Sequence, residues 1–273
     1  MFLHGCTHGP EDLAEISHMN AVADANRFLV VYPEQSLLAN FLKCWNWFDP
    51  KHQSRDQGEP SILAAIVEQV CSEHKVDPDR VYAAGVSAGG AMAVIAAVAY
   101  PDLFSGVAVA AACEFKAATS FTSAIGVMKH GGPDPIQQGE LAFDAMQAGL
   151  ARKSRRRMPL FVLQGTADDR VSAVNAEQLI SQWSITNASL AARAGETGFA
   201  LTENTVTGQV PGGYTYHKHA YRDQTGALLM EKWLVDGLGH AWSGSPKAQK
   251  YGDPKGPDAA AGIWRFFTET HSQ

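Results

Sequence analysis

No apolar run in this sequence is long enough to cross a bilayer as a helix: "GVAVAAAC" stops at Glu114, and "AMAVIAAVAY" is too short. Basic charge is also scarce. The 22 lysines and arginines stand against 28 aspartates and glutamates, and the net charge of −6 argues against a nucleic-acid partner. The one dense basic patch, "RKSRRR" at 152–157, precedes the strand-like "MPLFVLQ" and reads as a solvated helix end, with a targeting signal as the remote alternative. Cysteine is sparse too. Cys6, Cys44, Cys71 and Cys113 are neither dense nor spaced as metal ligands. They read as four buried thiols or, in a secreted protein, as including a Cys6–Cys44 bridge. No signal peptide opens the sequence as it stands, which fits a mature secreted form, a truncated form or a cytosolic protein.

What is present suffices for a sizeable core. With 45% hydrophobic residues over 273 positions, one domain spanning 1–273 is expected. Strand-like runs alternate with helical ones: "FLVVYPE" (28–34), a helix near 60–74, "RVYAAGV", a helix near 88–100, and "GVAVAAAC" (106–113). "PLFVLQG" (159–165) and a helix around 172–184 follow. This is the α/β pattern, a mostly parallel sheet with helices on both faces. Near the end "YTYHKHAYRD" and "ALLMEKWLVDG" flank "QTG" and read as a hairpin, before a closing helix in "GPDAAAGIWRFFTETH". The segment 114–158 reads as two short helices around "KHGGPDP", too little for a large cap domain. Only three residues precede the first His-Gly turn, where a central strand needs about five or six. The start therefore reads as cut, or the first strand as short.

The stretch "RVYAAGVSAGGAM" sets Gly85, Ser87 and Gly89 as G-x-S-x-G between a buried strand and an alanine-rich helix. Glycines there let the chain reverse within a few residues and hold a serine at the apex with its hydroxyl exposed. A glycine-rich turn with no chemical role is the bland alternative. A serine hydroxyl attacks only after a base takes its proton, and a buried carboxylate must fix that base. Two later loops supply the partners in the required order. "PLFVLQGTADDRV" ends a strand before Asp168 and Asp169, and "EKWLVDGLGHAW" ends one before His240. Either aspartate could instead cap the next helix. Asp168 is favoured, being first past the strand and three before Val171. The oxyanion of the tetrahedral intermediate needs two N–H donors. Ala88 follows the nucleophile at a helix N-terminus, and the early "HGCT" loop offers Cys6, with Thr7 as second choice. His4 and His8 lie four apart, but Gly5 breaks the helix that a metal pair would need, so no metal site is expected.

The motifs "LHGCTH", "CWNWF", "GVSAGGAM", "GTADDRV" and "GLGHAWSG" together resemble the polyhydroxybutyrate-depolymerase-type esterases, which are similar to feruloyl and acetylxylan esterases. The resemblance implies an α/β-hydrolase fold, ester hydrolysis through an acyl-enzyme, no cofactor, a small ester or polyester as substrate, and frequent secretion. It assigns Ser87, Asp168 and His240 to a catalytic triad. It departs at His8, where the family usually has Gln, and in lacking the N-terminal strands that usually precede such a loop. Within the family the hydroxyalkanoate branch fits the motifs better than the feruloyl branch.

Trp45 and Trp47 share one side of an extended segment, and Trp242 lies two residues past His240. They read either as core or as aromatic walls of an open groove that binds substrate. Two other functions compete. A non-catalytic binding protein on the same fold would usually lack a triad member, and none is missing. A thiol- or metal-dependent hydrolase has only Cys6 beside His4 and His8 in its favour.

Overall fold

A computed structural model of the protein describes residues 1–154 and 157–272. Arg155 and Arg156 of the basic run lie outside the described residues. The chain begins with β1 (Phe2–Leu3), α1 (Pro10–Ser17), α2 (Met19–Asn26) and α3 (Gly58–Glu73). The centre comprises β2 (Ala83–Val86), α4 (Ala88–Ala99), β3 (Val107–Ala110), α5 (Phe121–His130), α6 (Pro135–Leu150) and β4 (Leu160–Gly165). Then follow α7 (Val174–Arg193), β5 (Leu201–Gln209), β6 (Thr215–Asp223) and β7 (Leu228–Val235). The chain closes with β8 (Trp242–Ser243), β9 (Gly252–Asp253) and α8 (Ala259–His271).

Seven strands form one sheet in the order β1-β2-β3-β4-β7-β6-β5. From β1 through β4 to β7 all neighbours are parallel, and β6 and β5 extend the sheet as an antiparallel ribbon. Period-two alternation divides the strand side chains between two cores. Val107, Val109, Leu160 and Val162 join Met92, Phe104 and Trp183 on one face, while Ala108, Ala110, Phe161 and Leu163 join Trp233 and Phe266 on the other. Burial on both faces is why these strands are near-continuous apolar runs. Among the described residues no helix is long and apolar enough to cross a membrane. Among the described residues the segment after β3 holds only α5 and α6, and α6 packs on α7, so no large cap is present there.

Two expectations about strands need correction. "FLVVYPE" is extended but forms no strand; Phe2 N donates to Val31 O at 2.8 Å. β1 is only two residues long and offers too little ladder to pair along the whole run. Conversely, β5 carried no apolar alternation to betray it. Thr202 through Thr207 are exposed, because the strand lies at the sheet edge beyond the helical layers.

The loop from β3 to α5 carries Glu114, which is buried, and among the described residues neither of its carboxylate oxygens has a hydrogen-bond partner. Burial raises its pKa from 4.5 to about 8, with a smaller push from Asp134. The folded state thus keeps a proton that the unfolded chain releases, and stability falls as pH rises from 4.5 through about 8. Glu114→Gln should remove that fall, gaining on the order of 3–5 kcal/mol once the carboxyl would be fully ionised. Denaturant midpoints across that window check this; a gain that does not change with pH would show that another group is responsible.

Candidate active site

Ser87 is the single residue between β2 and α4, at φ 54 and ψ −123, a region side chains rarely occupy. The turn is possible because Gly85 and Gly89, two positions to either side, lack side chains. A Cβ on Gly85 would lie 2.2 Å from Gly89 O, and one on Gly89 would lie 2.4 Å from the carbonyls of Leu3 and His4. Ser87 N donates to Ala110 O at 2.8 Å, which ties the apex to β3.

The structure brings the three residues of the sequence argument into one hydrogen-bonded line. Ser87 Oγ donates to His240 Nε2 at 3.2 Å, and His240 Nδ1 donates to Asp168 Oδ2 at 2.8 Å. Asp168 follows β4 and His240 follows β7, both at the carboxyl ends of parallel strands. The Asp168 side chain is 1% exposed and that of His240 14%. Burial alone would raise the Asp168 pKa. The His240 ring and the amides of Val171 and Arg170, each 2.8 Å from Oδ1, outweigh it and hold the carboxyl below its usual range. Gln164, buried at the end of β4, donates from Nε2 to Val171 O at 2.9 Å and lies 3.4 Å from Asp168 Oδ2. Sequence reasoning passed over this brace, although a polar residue inside the apolar run "PLFVLQG" was a signal. Asp169 is exposed, and its backbone carbonyl accepts from Lys129 Nζ.

Beside Ser87 the early loop is rigidly held. Cys6 is bonded to Cys44, so of the four cysteines only Cys71 and Cys113 are free thiols. Thr7 N donates to Leu42 O at 2.7 Å, which removes Thr7 as an oxyanion donor. Among the described residues the amides of Cys6 and Ala88 have no acceptor, and both residues line the pocket at Ser87. His4 is buried with both ring nitrogens engaged: Nε2 accepts from Gln35 N at 3.0 Å and Nδ1 donates to Gly5 O at 2.8 Å. Neither is free for a metal. The disulfide removes Cys6 as a thiol nucleophile, and burial pushes the Cys113 thiol up, so it stays protonated in the same pocket.

The bridge closes a sequence separation of 38. Reduction should cost roughly 3–4 kcal/mol of stability in the chain-entropy model. It should also lower turnover, because Cys6 lies in the loop that carries a proposed oxyanion donor. Unfolding and ester hydrolysis measured with and without reductant test both; unchanged turnover after verified reduction would mean that the loop holds its shape without the bond.

A pocket of about 90 Å³ opens at Ser87, walled by Trp47, Phe48, Phe121, Ile125 and Met128. The expectation of three tryptophan walls is corrected here. Trp45, Trp47 and Trp242 are 4%, 5% and 3% exposed. Trp45 and Trp47 do share a side, but that side is the core. Trp45 lies under the early loop and donates from Nε1 to His4 O at 3.1 Å. Trp242 packs on Phe2, ring centroids 5.4 Å apart, in the opposite core. Only Trp47 reaches the pocket, where Phe48 and then Phe121, 56% exposed, continue its aromatic surface edge to face. Gln53 links this wall by donating to the carbonyls of Trp47 and Ala118, each at 2.8 Å.

Strand order, the serine at the turn between β2 and α4, and acid and histidine loops after later strands define the α/β-hydrolase class. Within that class the chain belongs to the Esterase PHB depolymerase family, which matches residues 1–202. It is 31% identical over 239 residues to poly(3-hydroxyalkanoate) depolymerase C of Paucimonas lemoignei, across 87% of this chain and 53% of that protein. The chain thus spans about half the length of that relative. Feruloyl esterase B of Thermothelomyces thermophilus is 29% identical over 249 residues, across 87% of this chain and 76% of its own. Among solved structures, acetyl xylan esterase from Aspergillus awamori shares the fold with a TM-score of 0.66 at 19% identity, covering 88% of this chain and 82% of its own.

Proposed function

We propose that the protein is a serine carboxylic-ester hydrolase, organised as one catalytic domain, that works through an acyl-enzyme on hydroxyalkanoate esters or polyesters. The observation that carries this is the line Ser87–His240–Asp168 beside two unpaired amides at an apolar pocket. His240 takes the Ser87 proton as Oγ attacks the ester carbon, and Asp168 stabilises the imidazolium that results. The amides of Cys6 and Ala88 hold the oxyanion. Collapse breaks the ester C–O bond, and His240 returns the proton to the leaving alcohol. Water, activated by the same histidine, then frees the acid and restores Ser87.

Hydroxyalkanoate esters are favoured by the kinship with a poly(3-hydroxyalkanoate) depolymerase. The aromatic wall from Trp47 to Phe121 supports a second reading, an aryl ester such as a feruloyl group, in keeping with the feruloyl esterase relative. Secretion is proposed on the Cys6–Cys44 bond, which persists in oxidising compartments. A serine-directed phosphonate should give a single adduct on Ser87. Polyhydroxybutyrate, methyl ferulate, acetylxylan and p-nitrophenyl acetate, assayed side by side, then separate the substrate readings. Labelling elsewhere would end the mechanism, and a preference for methyl ferulate would end the hydroxyalkanoate reading.

A further inference from the structure

The side of the site that His240 faces differs chemically from the apolar pocket at Ser87. Beyond His240 stands Tyr251, with ring centroids 6.1 Å apart and planes at 87°. The Arg170 guanidinium lies 5.3 Å from the Tyr251 ring centroid, the Lys250 ammonium 5.1 Å, and the His8 ring 4.6 Å. Tyr251 is fixed in place. Its backbone is left-handed at φ 63, and its carbonyl accepts from Trp242 N at 2.8 Å beside the paired β8 and β9. Arg170 is anchored from the acid loop, its amide donating to Asp168 Oδ1 at 2.8 Å. Both cationic side chains are exposed, and among the described residues neither has an acidic partner within ion-pair distance. Two carboxylates of this region are committed elsewhere: Asp168 to His240 and its loop amides, Asp12 to Gly9 N. Two cations without an ion pair among the described residues therefore flank one ring that leans on the proton-transferring histidine.

We propose that this corner binds a carboxylate on the leaving-group side, so that the preferred substrate is a hydroxyalkanoate oligomer cleaved at the ester next to its free acid end. The inference rests on the esterase reading above and makes its substrate class more specific. His240 protonates the leaving oxygen, so the alcohol half of the ester departs on the Tyr251 side. In a hydroxyalkanoate ester that alcohol is itself a hydroxy acid, and its carboxylate lies a few bonds from the leaving oxygen. Arg170 and Lys250 can meet that charge with charge-assisted hydrogen bonds. The sugar released from a feruloylated or acetylated polysaccharide ester carries no such group at that place. His8 packs on Tyr251 and belongs to this corner.

The test compares the linear dimer of 3-hydroxybutyrate as free acid and as its terminal primary amide, two substrates with one scissile ester each that differ only in the carboxylate. The unmodified protein should favour the free acid in kcat/KM by about tenfold at low salt, as expected for one charge-assisted contact. That ratio should fall toward one in the Arg170→Ala/Lys250→Ala double variant, and also in the unmodified protein at high salt. The salt arm does not depend on the variant folding. Cleavage of both dimers with no preference, or with a preference that neither the substitutions nor salt reduces, would overturn the carboxylate corner and leave the esterase reading standing. If neither dimer is cleaved while the phosphonate still labels Ser87, the hydroxyalkanoate reading falls and the corner with it.

Discussion

Ser87→Ala should lower ester turnover by on the order of a million-fold, the loss seen when a member of a cooperating triad is removed. The fold should survive it. The Ser87 hydroxyl makes one side-chain hydrogen bond, to His240 at 3.2 Å, and contributes nothing to either core. Alanine keeps the Cβ that the backbone already tolerates at φ 54, so the strain of the turn is unchanged. The hydrogen bond of Ser87 N to Ala110 O and the glycines that admit the turn are untouched. The thermal midpoint should therefore stay close to that of the unmodified protein while hydrolysis disappears. Activity above a few per cent, in a preparation free of contaminating esterase, would remove Ser87 as the nucleophile.

Much of this site was legible because its parts are local. G-x-S-x-G fixes a turn within five residues, and the acid and histidine loops each follow a recognisable apolar strand. Such features need no knowledge of distant packing. The walls of the pocket were not legible for the opposite reason. Alternation correctly set Trp45 and Trp47 on one side, yet whether that side meets solvent depends on a helix and a loop far away in sequence. Tryptophan exposure of 5% or less and an exposed Phe121 are outcomes of tertiary packing. The same holds for Tyr251, which meets His8, Arg170 and His240 across most of the chain. β5 escaped detection because an edge strand exposed to water needs no apolar alternation, and "FLVVYPE" misled because β1 is too short to pair with it.

Asp168→Asn and Asp169→Asn should differ by several orders of magnitude although the residues are neighbours. The Asp168 environment determines how an amide would sit there. Arg170 N and Val171 N both donate to Oδ1, so the amide oxygen of an asparagine must stay on that side to accept them. Its NH2 group then faces His240 Nδ1 and must donate to it, which moves the histidine proton to Nε2. A protonated Nε2 cannot accept the Ser87 proton, and the base is lost with the geometry intact. Gln164 Nε2 would meet a second donor at the position of Oδ2, and that repulsion pushes against the same contact. Turnover should fall by about ten-thousand-fold, the loss expected for a triad held in the wrong tautomer. Asp169→Asn changes an exposed side chain and keeps the backbone carbonyl that accepts from Lys129, so its turnover should stay within a few-fold of the original. Single-turnover rates with p-nitrophenyl acetate measure both variants on one scale. Comparable losses would mean that the acid loop is held as a unit and that Asp168 does not act alone; a larger loss for Asp169→Asn would overturn the assignment of the acid.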